Sequence, residues 1–168
     1  MKFVILALTA AAPLALAAGN SPDSSFYRAL AEGGMTEVDL GKLAQQKSED
    51  PKIKDFAAMM VKDHSAANEK LESLAASKQV PVPRTLGASQ MATQTRLESL
   101  NAASFDKSYI KSQVKAHEDT VALLEKEISS GQDSDAKAFA QSILPTVQHH
   151  LEAARSLAAE EGVKVAGR

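Results

Sequence analysis

Four long stretches of this chain carry apolar residues at alternating intervals of three and four, and proline, glycine or serine breaks separate them. That spacing places one apolar stripe on each of four helices and leaves little room for any other fold. The first helix is expected from about Ser24 to Gln46, capped by Asp23 or Ser24, with Phe26, Leu30, Gly33, Glu37, Leu40 and Ala44 on its stripe. Gly33-Gly34 within it predicts a close helix contact, a bend, or a later start, since each glycine costs roughly 1 kcal/mol relative to alanine. Asp50-Pro51 reads as a cap followed by a first-turn proline. The second helix then runs to about Lys78 with Ile53, Phe56, Met60, His64, Leu71 and Leu74 inward, and Pro81 and Pro83 stop it. The third is expected from about Phe105 to Ser129 and the fourth from about Ser134 to Glu160. Their stripes read Ile110, Val114, His117, Val121, Leu124 and Phe139, Ile143, Val147, His150, Leu157. Pro145 inside the fourth predicts a kink.

The breaks after Lys47 and Ser130 are short, so each flanking pair of helices forms a hairpin. The halves also match each other at one constant offset. Phe56-Ala57 recurs as Phe139-Ala140, Ser73 to Ala76 as Ser156 to Ala159, and Asp50 as Asp133. This suggests an internal duplication. About residues 81–103 remain between the hairpins, with a minor helix expected near Ala88 to Leu100. A connection of that length suits a crossover along the bundle. The expected fold is therefore all-α: a ferritin-like four-helix bundle of two helical hairpins, with a long crossover between helices 2 and 3.

The N-terminus reads differently. Lys2, the apolar run Phe3 to Ala12 and the small-residue pattern Ala15-Leu16-Ala17 predict a signal peptide over 1–17, cleaved near residue 17 or 18. A tail over 18–23, a bundle domain over 24–161 and a C-terminal tail over 162–168 follow. The chain has no cysteine, which excludes disulfides and thiolate ligands. A net charge of −2 without any basic run argues against nucleic-acid binding. No segment of the mature chain reads as membrane-spanning. The expected location is the bacterial periplasm, with an envelope protein or a second copy of the chain as conceivable partners. No small-molecule substrate can be named.

Glu37, His64, His117 and His150 each interrupt an apolar stripe on a different helix. Measured from the two hairpin turns, Glu37 and His64 are nearly level, and so are His117 and His150. A carboxylate and three imidazoles facing one core suit one divalent transition metal, zinc first, then iron, manganese or copper. A metal-free buried Glu–His network would satisfy the same residues. A di-iron centre would need carboxylates three positions before His64 and His150, where Val61 and Val147 stand instead. His149 is a second choice to His150. Asp63 and Glu118 adjoin these residues in sequence but point off the stripes, so solvated surface is expected first and support of a ligand second. Tyr109 and Tyr27 read as core-rim residues. No catalytic motif is present, so a non-enzyme is the first reading and an enzyme the second.

The segments Glu37 to Ala44, Phe56 to Leu71 and Leu144 to Leu157 resemble a bacterial exported family filed as a domain of unknown function and often labelled outer-membrane proteins. The Asp63-His64 pair and His149-His150-Leu151 carry the resemblance most specifically. It implies a ferritin-like helical bundle in the envelope, and no reaction. A barrel-type outer-membrane assignment fits poorly, because no alternating strand pattern and no lipid-attachment cysteine are present. The expected function is an exported bundle binding a single transition metal in envelope metal handling or stress response. The alternative is a metal-free structural or interaction bundle.

Overall fold

A computed structural model describes residues 22–165. The expected signal peptide and nearly all of the N-terminal tail lie outside the described residues. Five helices make up the described part: α1 Pro22–Lys47, α2 Pro51–Ser77, α3 Ala88–Glu98, α4 Ala102–Ser130 and α5 Ser134–Glu160. No strand occurs among the described residues. The all-α expectation holds, and the count of four helices is corrected to five, because the long connection carries α3.

The local stop and start signals explain the boundaries. Asp50 accepts from the Lys52 amide at 2.7 Å and Pro51 fills the first turn of α2. Asn101 caps α4 through Ser104, and Asp133 caps α5 through Asp135, each at 2.9 Å. After α2, Gln79 takes a left-handed φ of 57° and the Val80 amide closes onto the Ala75 carbonyl. Pro145 lies within α5 without ending it.

The helices α1 and α2 pack along each other, as do α4 and α5; α1 also meets α4, and α2 meets α5. Two apolar clusters fill the ends. One combines Leu40, Phe56, Tyr109 and Leu157; the other combines Phe26, Leu71, Leu124 and Phe139. The first therefore gathers the end of α1, the starts of α2 and α4, and the end of α5. It follows that α2 and α4 run in the same direction, and residues 78–101 return the chain along the bundle. Between the clusters lie the polar side chains Glu37 of α1, His64 of α2, Gln113 and His117 of α4, and His150 of α5.

Asp23 does something the sequence did not suggest. Pro22 opens α1, and the buried Asp23 carboxylate accepts from the Gln132 and Asp133 amides at 3.1 and 2.9 Å, tying α1 to the α4–α5 turn. Glu127 is buried beside it, and burial followed by the Asp23 charge pushes its carboxyl up from 4.5 to about 7. The folded state thus keeps a proton that the unfolded chain has already released. That stability is present below pH 4.5 and is lost as pH rises to about 7. Glu127→Gln mimics the protonated acid. Its gain over wild type should grow from pH 5 to pH 8, reaching about 1–3 kcal/mol in urea melts; parallel curves would contradict this origin of the shift.

Candidate metal centre

The α2 stripe delivers His64, the α4 stripe His117 and the α5 stripe His150 to the middle layer. One ring nitrogen from each lies within 4.8 Å of the others. The ring centroids form a nearly equilateral triangle of 5.6, 5.4 and 5.5 Å. His117 and His150 are each 1% exposed, and His64 is the partly exposed member.

Hydrogen bonds decide which nitrogens face inward. His117 Nδ1 donates to the Gln113 carbonyl, one turn earlier in α4, at 2.9 Å. His150 Nε2 donates to the Asp63 carboxylate at 3.0 Å. Each partner accepts only, so each neutral ring keeps its other nitrogen as a lone pair. His117 Nε2, His150 Nδ1 and His64 Nε2 are buried and make no hydrogen bond. Two buried lone pairs, on His117 and His150, beside a third unpartnered nitrogen on His64 are unfavourable unless a donor or a cation joins them. Orientation of a histidine through its second nitrogen, by a carboxylate or a backbone carbonyl, is also the usual support of a metal ligand.

The environment disfavours charge on two of the rings, His64 and His150. Burial, then the neighbouring imidazoles of His117 and His150, lowers His64 from 6.5 to about 3. Burial lowers His150 as well, with the Asp63 hydrogen bond opposing it. Neutral imidazole is the metal-binding form.

Glu37 is not a member of the converging group. It is 6% exposed, its Oε2 has no hydrogen-bond partner, and burial raises its pKa, while His117 and then Gln113 act in the opposite direction. Tyr109 is fully buried near it with an unpartnered hydroxyl, and burial raises this phenol further. The structure thus brings together three of the four expected residues and sets Glu37 beside them. His149 is exposed, so His150 is the inward member of that pair. Asp63 was expected at the surface and instead orients His150. Its position next to His64 was the available sign. Glu118 pairs with Arg155 at 2.7 Å. Gln113 and its carbonyl were not anticipated, although a carbonyl four residues before a helical histidine is always within reach.

Residues 8–157 match the family described as Domain of unknown function (DUF4142), and the chain belongs to that family. Among curated proteins no relative matches. Several solved structures share the fold. A secreted protein, DUF305, from Streptomyces coelicolor superposes with a TM-score of 0.72 at 14% identity, covering 87% of this chain and 96% of that one. A DUF305 fragment from Deinococcus radiodurans gives 0.71 at 12% identity, covering 84% and 97%. CopM in its Cu(I)-bound form gives 0.69 at 15% identity, covering 84% and 98%. At these identities the likeness extends to the fold alone.

Proposed function

We propose that this DUF4142 chain is an exported, ferritin-like helical bundle that holds a single transition-metal ion at His64, His117 and His150, in envelope metal handling. The observation that carries the reading is that one ring nitrogen from each of three histidines lies within 4.8 Å of the others, while each ring keeps a buried nitrogen without a hydrogen bond. Nitrogens bound to one tetrahedral ion at 2.0–2.1 Å stand roughly 3.4 Å apart, so closure requires a contraction of at most about 1.4 Å from the 4.8 Å bound.

Zinc and copper both suit an imidazole site. CopM is described in Cu(I)-, Cu(II)- and Ag-bound forms, which moves copper ahead of zinc here. Glu37, the fourth expected ligand, lies outside the converging group, so a three-histidine set leaves a fourth position open. The secreted description of the DUF305 structure and the N-terminal reading support export. Among the described residues no helix is long and apolar enough to cross a membrane. The metal-free reading is favoured by one observation, the placement of Glu37 beside His117. It leaves a buried nitrogen on each of the three imidazoles without a partner.

Untagged protein, stripped with chelator and dialysed against Cu(II), is expected to retain one ion per chain by elemental analysis. No retained ion would favour the Glu–His network. Asp63→Asn is expected to weaken copper binding by about 10–100-fold, because it removes the carboxylate that orients His150. Unchanged affinity would show that His150 is not held through Asp63.

A further inference from the structure

The middle layer opens sideways into a cavity of about 310 Å³. One end is polar, with His64, His150 and Glu37. The rest is walled mainly by apolar side chains, including Leu30, Phe139 and Ile143. The volume lies at the lower end of the range for small-molecule sites. Asp63 and Lys70 also line it, so charged groups of both signs border the cavity.

Three glycines of α1 separate what packing demands from what it does not. A Cβ on Gly34 would stand 2.0 Å from Asn68 Oδ1, and one on Gly41 would stand 2.8 Å from Val61 and 3.0 Å from the Ala57 carbonyl oxygen. Gly41 is required where α1 approaches the α2 backbone, and Gly34 leaves room for the end of the Asn68 side chain. A Cβ on Gly33 would meet nothing within 4 Å. Gly33 therefore carries the helix cost of roughly 1 kcal/mol without steric need. It lines the cavity, and a side chain there would occupy its space.

We propose that this cavity binds a small, uncharged amphipathic molecule, its metal-coordinating head on the ion of the histidine triad and its short apolar tail against Leu30, Phe139 and Ile143. The proposal rests on the metal reading above. Three histidine nitrogens leave a fourth position on a tetrahedral ion, Glu37 lies outside the converging group, and the cavity begins at His64 and His150.

The test uses Cu(II)-loaded protein and two probes, 1-methylimidazole and 1-butylimidazole, followed by visible absorption and electron paramagnetic resonance. Each methylene buried in an apolar wall is worth about fourfold in affinity. The butyl compound is expected to bind at least tenfold more tightly. Gly33→Leu is expected to erase that advantage while leaving copper stoichiometry and 1-methylimidazole binding unchanged. Ile143→Trp fills the cavity from α5 and should act alike, which covers the case of a poorly folding Gly33 variant. Equal affinities in the wild type, or an advantage that survives both substitutions, would overturn the proposal while leaving the metal reading intact. Protein that retains no copper would overturn both.

Discussion

Replacing His64 and His117 together by alanine is expected to abolish copper binding and the copper-dependent rise in melting temperature. An ion that binds only the folded chain stabilises it by RT ln(1 + [L]/Kd), about 2.7 kcal/mol at a concentration a hundredfold above Kd. For a domain of this size that corresponds to a rise of about 8–10 °C. The two substitutions remove two of the three converging nitrogens, and the remaining imidazole has no geometry for tight binding. They also leave a void in the core, so the metal-free variant melts lower than wild type. The decisive quantity is therefore the shift on adding copper to each protein. His149→Ala is the matched control: it removes an exposed histidine next to His150 and should keep the full shift. An equal shift in the double variant would place the metal elsewhere.

The double substitution also addresses why the bundle tolerates a polar middle. Apolar clusters close both ends, and the four long helices each interrupt their stripe at the same level. Burying imidazoles and a carboxylate there opposes folding unless their polar atoms are partnered. Two histidines have one nitrogen satisfied by Gln113 and Asp63, and each retains the other. A bound ion would satisfy the three free nitrogens at once. The apo bundle is then the less stable form, and binding and folding are coupled.

Much of this was legible in the chain. The helix boundaries follow from Asp50-Pro51, Asn101 and Asp133, whose side chains act locally on amides two or three residues away. The three histidines were legible because a polar residue on an otherwise apolar stripe can only face inward. Asp63 reads as surface first and as support only second for the complementary reason. It sits beside the stripe, and only the rotation of α5 relative to α2 brings His150 to it. Asp23 was misjudged likewise, since its partners lie in a turn more than a hundred residues away. Interhelical rotation depends on how whole faces pack, and a stripe does not encode it to within one side chain. The cavity is less legible still. Gly33 and Gly34 look alike in the sequence, and only the distance to α2 distinguishes the one that packs from the one that leaves space.

The metal-free protein is expected to be labile to acid through the same histidines. Burial and the adjacent imidazoles hold His64 near 3 in the folded state, against 6.5 as its ordinary value. Between those limits the unfolded chain takes up a proton that the folded chain refuses. The contribution is fully present above pH 6.5 and is lost as pH falls toward 3. At 1.36 kcal/mol per pKa unit the full effect is on the order of 3–5 kcal/mol. Glu37 and Glu127 act in the opposite sense, since burial raises both, so the total pH profile mixes several groups. A difference between two proteins isolates the histidine. In the presence of chelator, wild type and His64→Gln are compared by urea unfolding from pH 7.5 to pH 4. The variant keeps a polar side chain in place but has no imidazole to protonate. Relative stability should therefore move toward His64→Gln by a few kcal/mol as the pH falls, on the order of the shift above. Parallel curves would show that His64 is not held neutral by the triad. Restoring copper to the wild type should recover its acid stability down to the pH at which protons displace the ion, because a coordinated imidazole cannot take up a proton on its ligating nitrogen.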